Sequence, residues 1–254
     1  MSRINQILKG NKKLLSVFFT AGFPKLNDTG VIIKSLESSG VDFIEVGLPY
    51  SDPLADGPTI QHSSSVALSN GINLDIIFNQ LEAIKGSVKV PLVLMGYLNQ
   101  VLKYGETKFC QKCKDCGIET VIIPDLPMIE YESHYKDLFA GYNISNVFLI
   151  TPQTSEERIR KIDELSNAFI YVVASSSITG AKGEISEKQI SYFKRINNMN
   201  LKSTLIAGFG ISDKSTFNVA CEYMNGAIIG SAFINYLQDK ETNSIAKFVG
   251  DILD

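Results

Sequence analysis

Glu45 interrupts an otherwise apolar run, Val41-Asp42-Phe43-Ile44-Glu45-Val46-Gly47. A carboxylate enclosed by apolar neighbours is destabilised when charged, so its pKa rises toward the range where it can give and take protons near neutrality. Just downstream lies Pro49-Tyr50-Ser51-Asp52-Pro53-Leu54-Ala55-Asp56-Gly57-Pro58. Its prolines and glycine enforce a rigid, non-helical loop that carries Asp52 and Asp56. Glu45 with an aspartate poised above it makes an acid/base pair. Simpler roles exist for each: a strand-end Glu can face solvent, and a loop Asp can stabilise its own turn.

A second constellation suits an anion. Ala207-Gly208-Phe209-Gly210-Ile211-Ser212 and Ile229-Gly230-Ser231-Ala232 each follow an apolar run. Glycines let backbone approach a ligand, and free N–H groups at a helix start hold a phosphate. Thr179-Gly180-Ala181 can close the same pocket. Ordinary turn glycine explains either pair alone; both together, after the last two strands, point to phosphate.

Other chemistries fit poorly. Cys110, Cys113 and Cys116 are spaced like the start of an iron–sulfur run, but Thr120 and Val121 stand where a fourth Cys and its Pro belong. Cys221 is remote, and His62 and His134 are the only histidines, so no zinc set is expected. Spacing of three instead puts the thiols along one helical face, with Gly117 as the stop. There is no H-E-x-x-H, no G-x-S-x-G and no intact Walker A sequence. A Schiff-base lysine needs a strand-end position, whereas Lys89 and Lys202 flank strand starts and Lys182 lies in a loop.

The elements that must position these groups are legible as an alternation. Strand candidates are Leu15–Phe19, Val41–Val46, Leu92–Met95, Thr120–Ile123, Asn146–Ile150, Phe169–Val173, Thr204–Ala207 and Ala227–Ile229. They read as near-continuous apolar runs, as strands buried on both faces of a parallel sheet require. Between them lie helix signals. Thr154-Ser155-Glu156-Glu157 and Ser186-Glu187-Lys188-Gln189 read as capping boxes, and Ile77, Leu81 and Ile84 form a stripe. Ile32, Ile33 and Leu36 lead to Gly40, and a short first helix carries Ile4, Ile7 and Leu8. The pattern predicts one (β/α)8 TIM barrel, residues 1–254, with an additional N-terminal helix. Two long loops, Gly47 to about Gly71 and Ser175 to about Ile185, then belong to the catalytic face.

Composition agrees. At 254 residues the folded chain exposes roughly 11,000 Å² against roughly 40,000 Å² extended, enough burial for one sizeable core. Lys+Arg number 24 against Asp+Glu 27, and no basic run appears, which argues against nucleic-acid binding. No apolar stretch is long enough to span a membrane or serve as a secretory leader, so a soluble, cytoplasmic protein is expected.

The string Glu45-Val46-Gly47, Pro49, Ser51-Asp52-Pro53-Leu54-Ala55-Asp56-Gly57-Pro58-Thr59-Ile60-Gln61 closely resembles the signature of tryptophan synthase alpha subunits. The likeness continues through Pro124-Asp125-Leu126-Pro127, Thr151-Pro152, Tyr171, Thr179-Gly180, Gly208-Phe209-Gly210-Ile211-Ser212 and Gly230-Ser231. It implies retro-aldol cleavage of indole-3-glycerol phosphate to indole and glyceraldehyde 3-phosphate. It implies Glu45 as the group that protonates indole C3, Asp56 as the acceptor of the N1 hydrogen, and Tyr171 as a residue positioning Glu45 or substrate. Gly180, Gly208, Phe209, Gly210, Gly230 and Ser231 would hold the phosphate; Phe18, Ile60 and Phe209 would surround the indole. Asp52 and Pro53 would touch a partner, the beta subunit, in an alpha2-beta2 heterotetramer. Pyridoxal phosphate would sit on that partner, with no cofactor or metal in this chain.

One departure stands out. Relatives commonly carry an Arg and a Gly in the loop after the sixth strand, where this chain reads Ala174-Ser175-Ser176-Ser177-Ile178-Thr179-Gly180. Two rivals to the cleavage reading remain: another phosphate-binding barrel enzyme, and a non-catalytic activator of the beta subunit. Retention of Glu45 and Asp56 together argues against the activator.

Overall fold

The structure is a computed structural model that describes residues 2–10, 13–53, 55–174, 185–239 and 242–254. Eight parallel strands close into a barrel in sequence order: β1 (Leu14–Thr20), β2 (Phe43–Gly47), β3 (Leu92–Met95), β4 (Thr120–Ile122), β5 (Ser145–Ile150), β6 (Phe169–Val173), β7 (Thr204–Gly208) and β8 (Gly226–Ile229). Each overlaps its predicted run. The first strand is longer at both ends because Leu14 pairs with Gly226 and Thr20 with Gly47. The second starts two residues later: the Asp42 N–H donates to the Leu15 carbonyl at 2.9 Å, but the Leu15 N–H bonds the Asp42 carboxylate, at 2.9 Å, in place of a backbone carbonyl.

Helices surround the barrel: α1 (Arg3–Ile7), α2 (Thr29–Ser38), α3 (Pro58–Ser69), α4 (Leu74–Ile84), α5 (Leu98–Tyr104), α6 (Glu106–Cys116), α7 (Met128–Glu130), α8 (Lys136–Gly141), α9 (Glu156–Leu165), α10 (Glu187–Asn197), α11 (Lys214–Ala220), α12 (Ser231–Asp239) and α13 (Ile245–Leu253). A π-helical turn, Tyr131–Tyr135, joins α7 to α8. The core has two parts, as strand alternation demands. Phe43, Val93, Ile122, Val147, Phe169, Ile206 and Ile228 fill the barrel, with the Phe43 and Phe169 rings 5.4 Å apart. Residues such as Ile44, Val46, Val121, Ile170 and Ala207 face the helical layer. The expected first helix is α1, which adds Ile4, Ile7 and Leu8 to the barrel-interior cluster.

Two expectations change. Half of the long Gly47–Gly71 loop is α3, begun by Pro58 at its first turn. Apolar periodicity misses this helix because it packs through serines: Ser63 and Ser64 are buried, and the Ser63 hydroxyl bonds that of Thr20 at 2.6 Å. The box at Thr154 is also displaced by one residue. Ser155 is the cap, accepting from the Arg158 N–H, while Thr154 accepts from the Thr151 N–H within the preceding loop. The Ser186–Gln189 box forms as expected, and Gly117 ends α6 in the left-handed conformation. Cys110, Cys113 and Cys116 line the buried face of α6, where burial pushes the thiols of Cys110 and Cys116 up to about 11. Among the described residues no helix is long and apolar enough to cross a membrane.

Candidate active site

Glu45 points into the barrel near the end of β2, beside Phe18 of β1 and Val93 of β3 in the ladder. It is fully buried, and among the described residues neither carboxylate oxygen has a hydrogen-bond partner. Desolvation pushes its carboxyl from 4.5 up to about 8, so the acid form prevails at neutral pH. A buried, unpaired carboxyl is costly for a fold and is usually kept for proton transfer.

The Pro-rich loop brings Asp56 to the same end. Its N–H donates to the Pro53 carbonyl at 3.1 Å, and the Gln61 side chain ties the Asp56 carbonyl to α3 at 2.9 Å. Asp56 Oδ2 accepts from the Tyr97 hydroxyl at 3.0 Å, while Oδ1 is buried without a partner among the described residues. Burial pushes this carboxyl from 3.8 up to about 6, a rise the Tyr97 hydrogen bond partly opposes. At pH 7 the pair therefore holds one acid and one base.

Tyr171, on β6, is buried and feels the charges of both Glu45 and Asp56, which with desolvation hold its phenol well above its ordinary pKa. Among the described residues it makes no hydrogen bond to Glu45. Phe209 stands edge-on to the Tyr171 ring at 6.0 Å and adopts φ +65°, an unusual conformation for a side-chain-bearing residue; Gly210 follows at φ +81°. The N–H groups of Phe209 and Gly210 are unspent among the described residues. So are those of the first turn of α12, whose bonding starts with Ile234 N donating to Gly230 O. Gly230 and Ser231 thus place a helix start beside the Phe209–Gly210 turn, across the β7–β8 edge.

Phe18, Ile60, Met95, Tyr97 and Asp56 line a cavity of about 10 Å³, room for about one water. A larger one, about 60 Å³ around Asn146 and Arg158, lies outside the barrel between β4, β5 and α9, and no carboxylate lines it.

Gly180 lies outside the described residues, as do Ser175 and Ser177. Of the two residues expected to touch a partner, Asp52 is exposed, and Pro53 is buried with its carbonyl accepting from the Asp56 N–H. Packing also demands glycine at 208. A Cβ there would lie 2.0 Å from the Tyr171 hydroxyl, whereas one on Gly230 would meet Phe18 at an ordinary 3.6 Å. Tyr97 was not among the predicted residues. Its place in Met95-Gly96-Tyr97, at a strand's C-terminal end, is the signal that could have marked it.

A sequence profile of the family "Tryptophan synthase alpha chain" matches residues 4–250. The chain is 56% identical over 252 residues to the tryptophan synthase alpha chain of Flavobacterium psychrophilum, covering 99% of this chain and all of that one. It is 50% identical to that of Bacteroides thetaiotaomicron, covering 95% and 94%. Among solved structures, Mycobacterium tuberculosis tryptophan synthase superposes with TM-score 0.88 at 27% identity, covering 99% and 96%. The A-subunit from Pyrococcus furiosus superposes with TM-score 0.86 at 30% identity, covering 95% and 97%. With the closed barrel, the carboxyl pair at its mouth and a match along nearly its whole length, the chain belongs to the tryptophan synthase alpha chain family.

Proposed function

We propose that this chain, acting as one barrel unit in the cytoplasm, is a lyase of tryptophan biosynthesis that splits indole-3-glycerol phosphate into indole and glyceraldehyde 3-phosphate. The observation that carries the reading is Glu45, a buried carboxyl without a hydrogen bond among the described residues, at the same barrel end as Asp56, a second carboxyl that is mostly ionised at pH 7.

The chemistry balances on those two groups. Glu45, protonated at neutral pH, gives its proton to indole C3 while Asp56 Oδ1 takes the N1 hydrogen. The C3–glycerol bond then breaks, its electron pair returns to the ring, and N1 regains its proton from Asp56. The adjacent hydroxyl proton passes to the Glu45 carboxylate as the aldehyde forms, which restores both groups. Tyr171 fixes the substrate between them, and Phe18, Ile60 and Phe209 cover the indole. The amides of Phe209, Gly210, Ser231 and Ala232 hold the phosphate, with the dipole of α12 behind them. No cofactor or metal of this chain enters any step.

The pyridoxal-phosphate-dependent beta subunit is the proposed partner, in an alpha2-beta2 assembly. Leu102 on α5 and Ile129 on α7 are 53% and 73% exposed, on the helices that follow β3 and β4 at the end that bears Asp52. Covering that face keeps indole, a small apolar product, out of bulk water. Incubation of the purified chain with indole-3-glycerol phosphate, followed by quantitation of both products, tests the proposal; substrate recovered intact, with and without the beta subunit, would reject it.

A further inference from the structure

We propose that Tyr97 is a positioning residue that presents the free oxygen of Asp56 to the substrate. The inference rests on the cleavage reading above. The Tyr97 hydroxyl sits at a junction: it accepts from the Ala55 N–H at 3.0 Å and donates to Asp56 Oδ2 at 3.0 Å. One atom therefore fixes both the backbone before Asp56 and one carboxylate oxygen. Among the described residues Oδ1 is the oxygen left for a substrate N–H, and it lies buried and unpartnered beside the cavity that Phe18, Ile60 and Asp56 line.

Tyr97 is itself held on three sides. Its backbone N–H donates to Gln100 Oε1 at 2.9 Å, and the same amide donates from Nε2 to the Pro49 carbonyl at 2.8 Å. Its ring stacks on Tyr50 with centroids 5.1 Å apart, and the Tyr50 hydroxyl accepts from Asn99 at 3.0 Å. The turn after β3 thus grips the catalytic loop at its start through Pro49 and Tyr50, and at its end through Ala55 and Asp56.

The hydroxyl also biases protonation. A donor aimed at a carboxylate favours the charged form. The titratable groups facing Asp56 are Tyr97 and, from β6, Tyr171; Asp125 acts on Tyr97 from the turn after β4, and Glu45 acts on Tyr171 from β2. Of these, Tyr97 alone hydrogen-bonds Asp56 through its side chain among the described residues.

The test is the pH dependence of kcat/KM for indole formation in wild type, in Tyr97→Phe and in a chain with 3-fluorotyrosine at 97. In Tyr97→Phe turnover should fall about 10–100-fold with KM nearly kept, and the acid limb should move up by about one pH unit while the alkaline limb stays. The fluorinated phenol is a stronger donor on an unchanged ring, so its acid limb should move down. A lower rate with the acid limb in place would reduce Tyr97 to a packing residue and overturn the inference. If Tyr97→Phe does not fold, the fluorotyrosine chain decides: a downward shift supports the inference and an unmoved limb overturns it. Wild type that forms no indole overturns the cleavage reading itself, and this inference with it.

Discussion

The Tyr171 hydroxyl occupies the space that a side chain at position 208 would need: a Cβ on Gly208 would lie 2.0 Å from it. Val173 pairs with Gly208 across β6 and β7, so the tyrosine leans over the neighbouring strand where that strand has no side chain. Gly208→Ala should therefore act on Tyr171, lowering turnover about 10–100-fold and stability by about 1–3 kcal/mol. Gly230→Val should act on the phosphate instead. Isothermal titration with glycerol phosphate separates the two, with affinity much weakened in Gly230→Val and nearly kept in Gly208→Ala. The reverse ranking would place the phosphate at β7 alone.

Glu45 should also leave a mark on stability. Its folded carboxyl titrates near 8 against 4.5 for the free group, so the folded state binds the proton more tightly. That contribution is complete below 4.5 and is lost as pH rises through 8. Glu45→Gln has no charge to bury. Urea unfolding at pH 5 and pH 9 should show the variant gaining on wild type by roughly 2–5 kcal/mol over that interval. A constant difference between the two proteins would mean that Glu45 is hydrated when folded.

The rate should peak between two limbs. Asp56 must be ionised to accept the N1 hydrogen and Glu45 must be protonated to supply C3, so kcat/KM should fall below about pH 6 and above about pH 8. A profile flat from pH 5 to 9 would remove both carboxyls from the rate-limiting step.

Partner docking predicts a separable defect. Ile129, 73% exposed on α7, touches none of the proposed machinery. Ile129→Lys should weaken beta-subunit binding about 10-fold or more while indole formation by the chain alone is unchanged. Asp52→Ala should bind but respond less to the partner, because that loop continues into Asp56. Titration of each variant with beta subunit, following indole release, checks both; wild-type response curves would move the contact to another face.

Much of this was legible in the chain because burial on two faces leaves a plain trace. Strands such as Phe169–Val173 read as unbroken apolar runs, and Glu45 announced itself by breaking one. What stayed hidden depends on contacts between distant segments. The serine-faced α3 carries no apolar stripe across its buried side, so periodicity passed over it. Tyr97 sits at a strand's C-terminal end, but its bond to Asp56 forms between segments 41 residues apart, where the turns after β2 and β3 lie side by side. The burial of Pro53 and the bond from the Asp56 N–H to its carbonyl depend on the folded path of the loop, which residue types alone do not give. The steric demand for glycine at 208 comes from a ring 37 residues away in sequence, at Tyr171, which no local pattern records.

The central claim is that Glu45 moves the proton that breaks the carbon–carbon bond. Its most direct test is single-turnover release of indole from indole-3-glycerol phosphate at pH 7 by wild type and Glu45→Gln, both checked for fold and for glycerol phosphate binding. Wild type should form indole and glyceraldehyde 3-phosphate in equal amounts, and the variant should be slower by at least about 10²–10⁴-fold with binding kept. A variant that binds normally and retains more than about a tenth of the wild-type rate would contradict the account, since an amide in that dry, unpartnered position cannot cycle a proton.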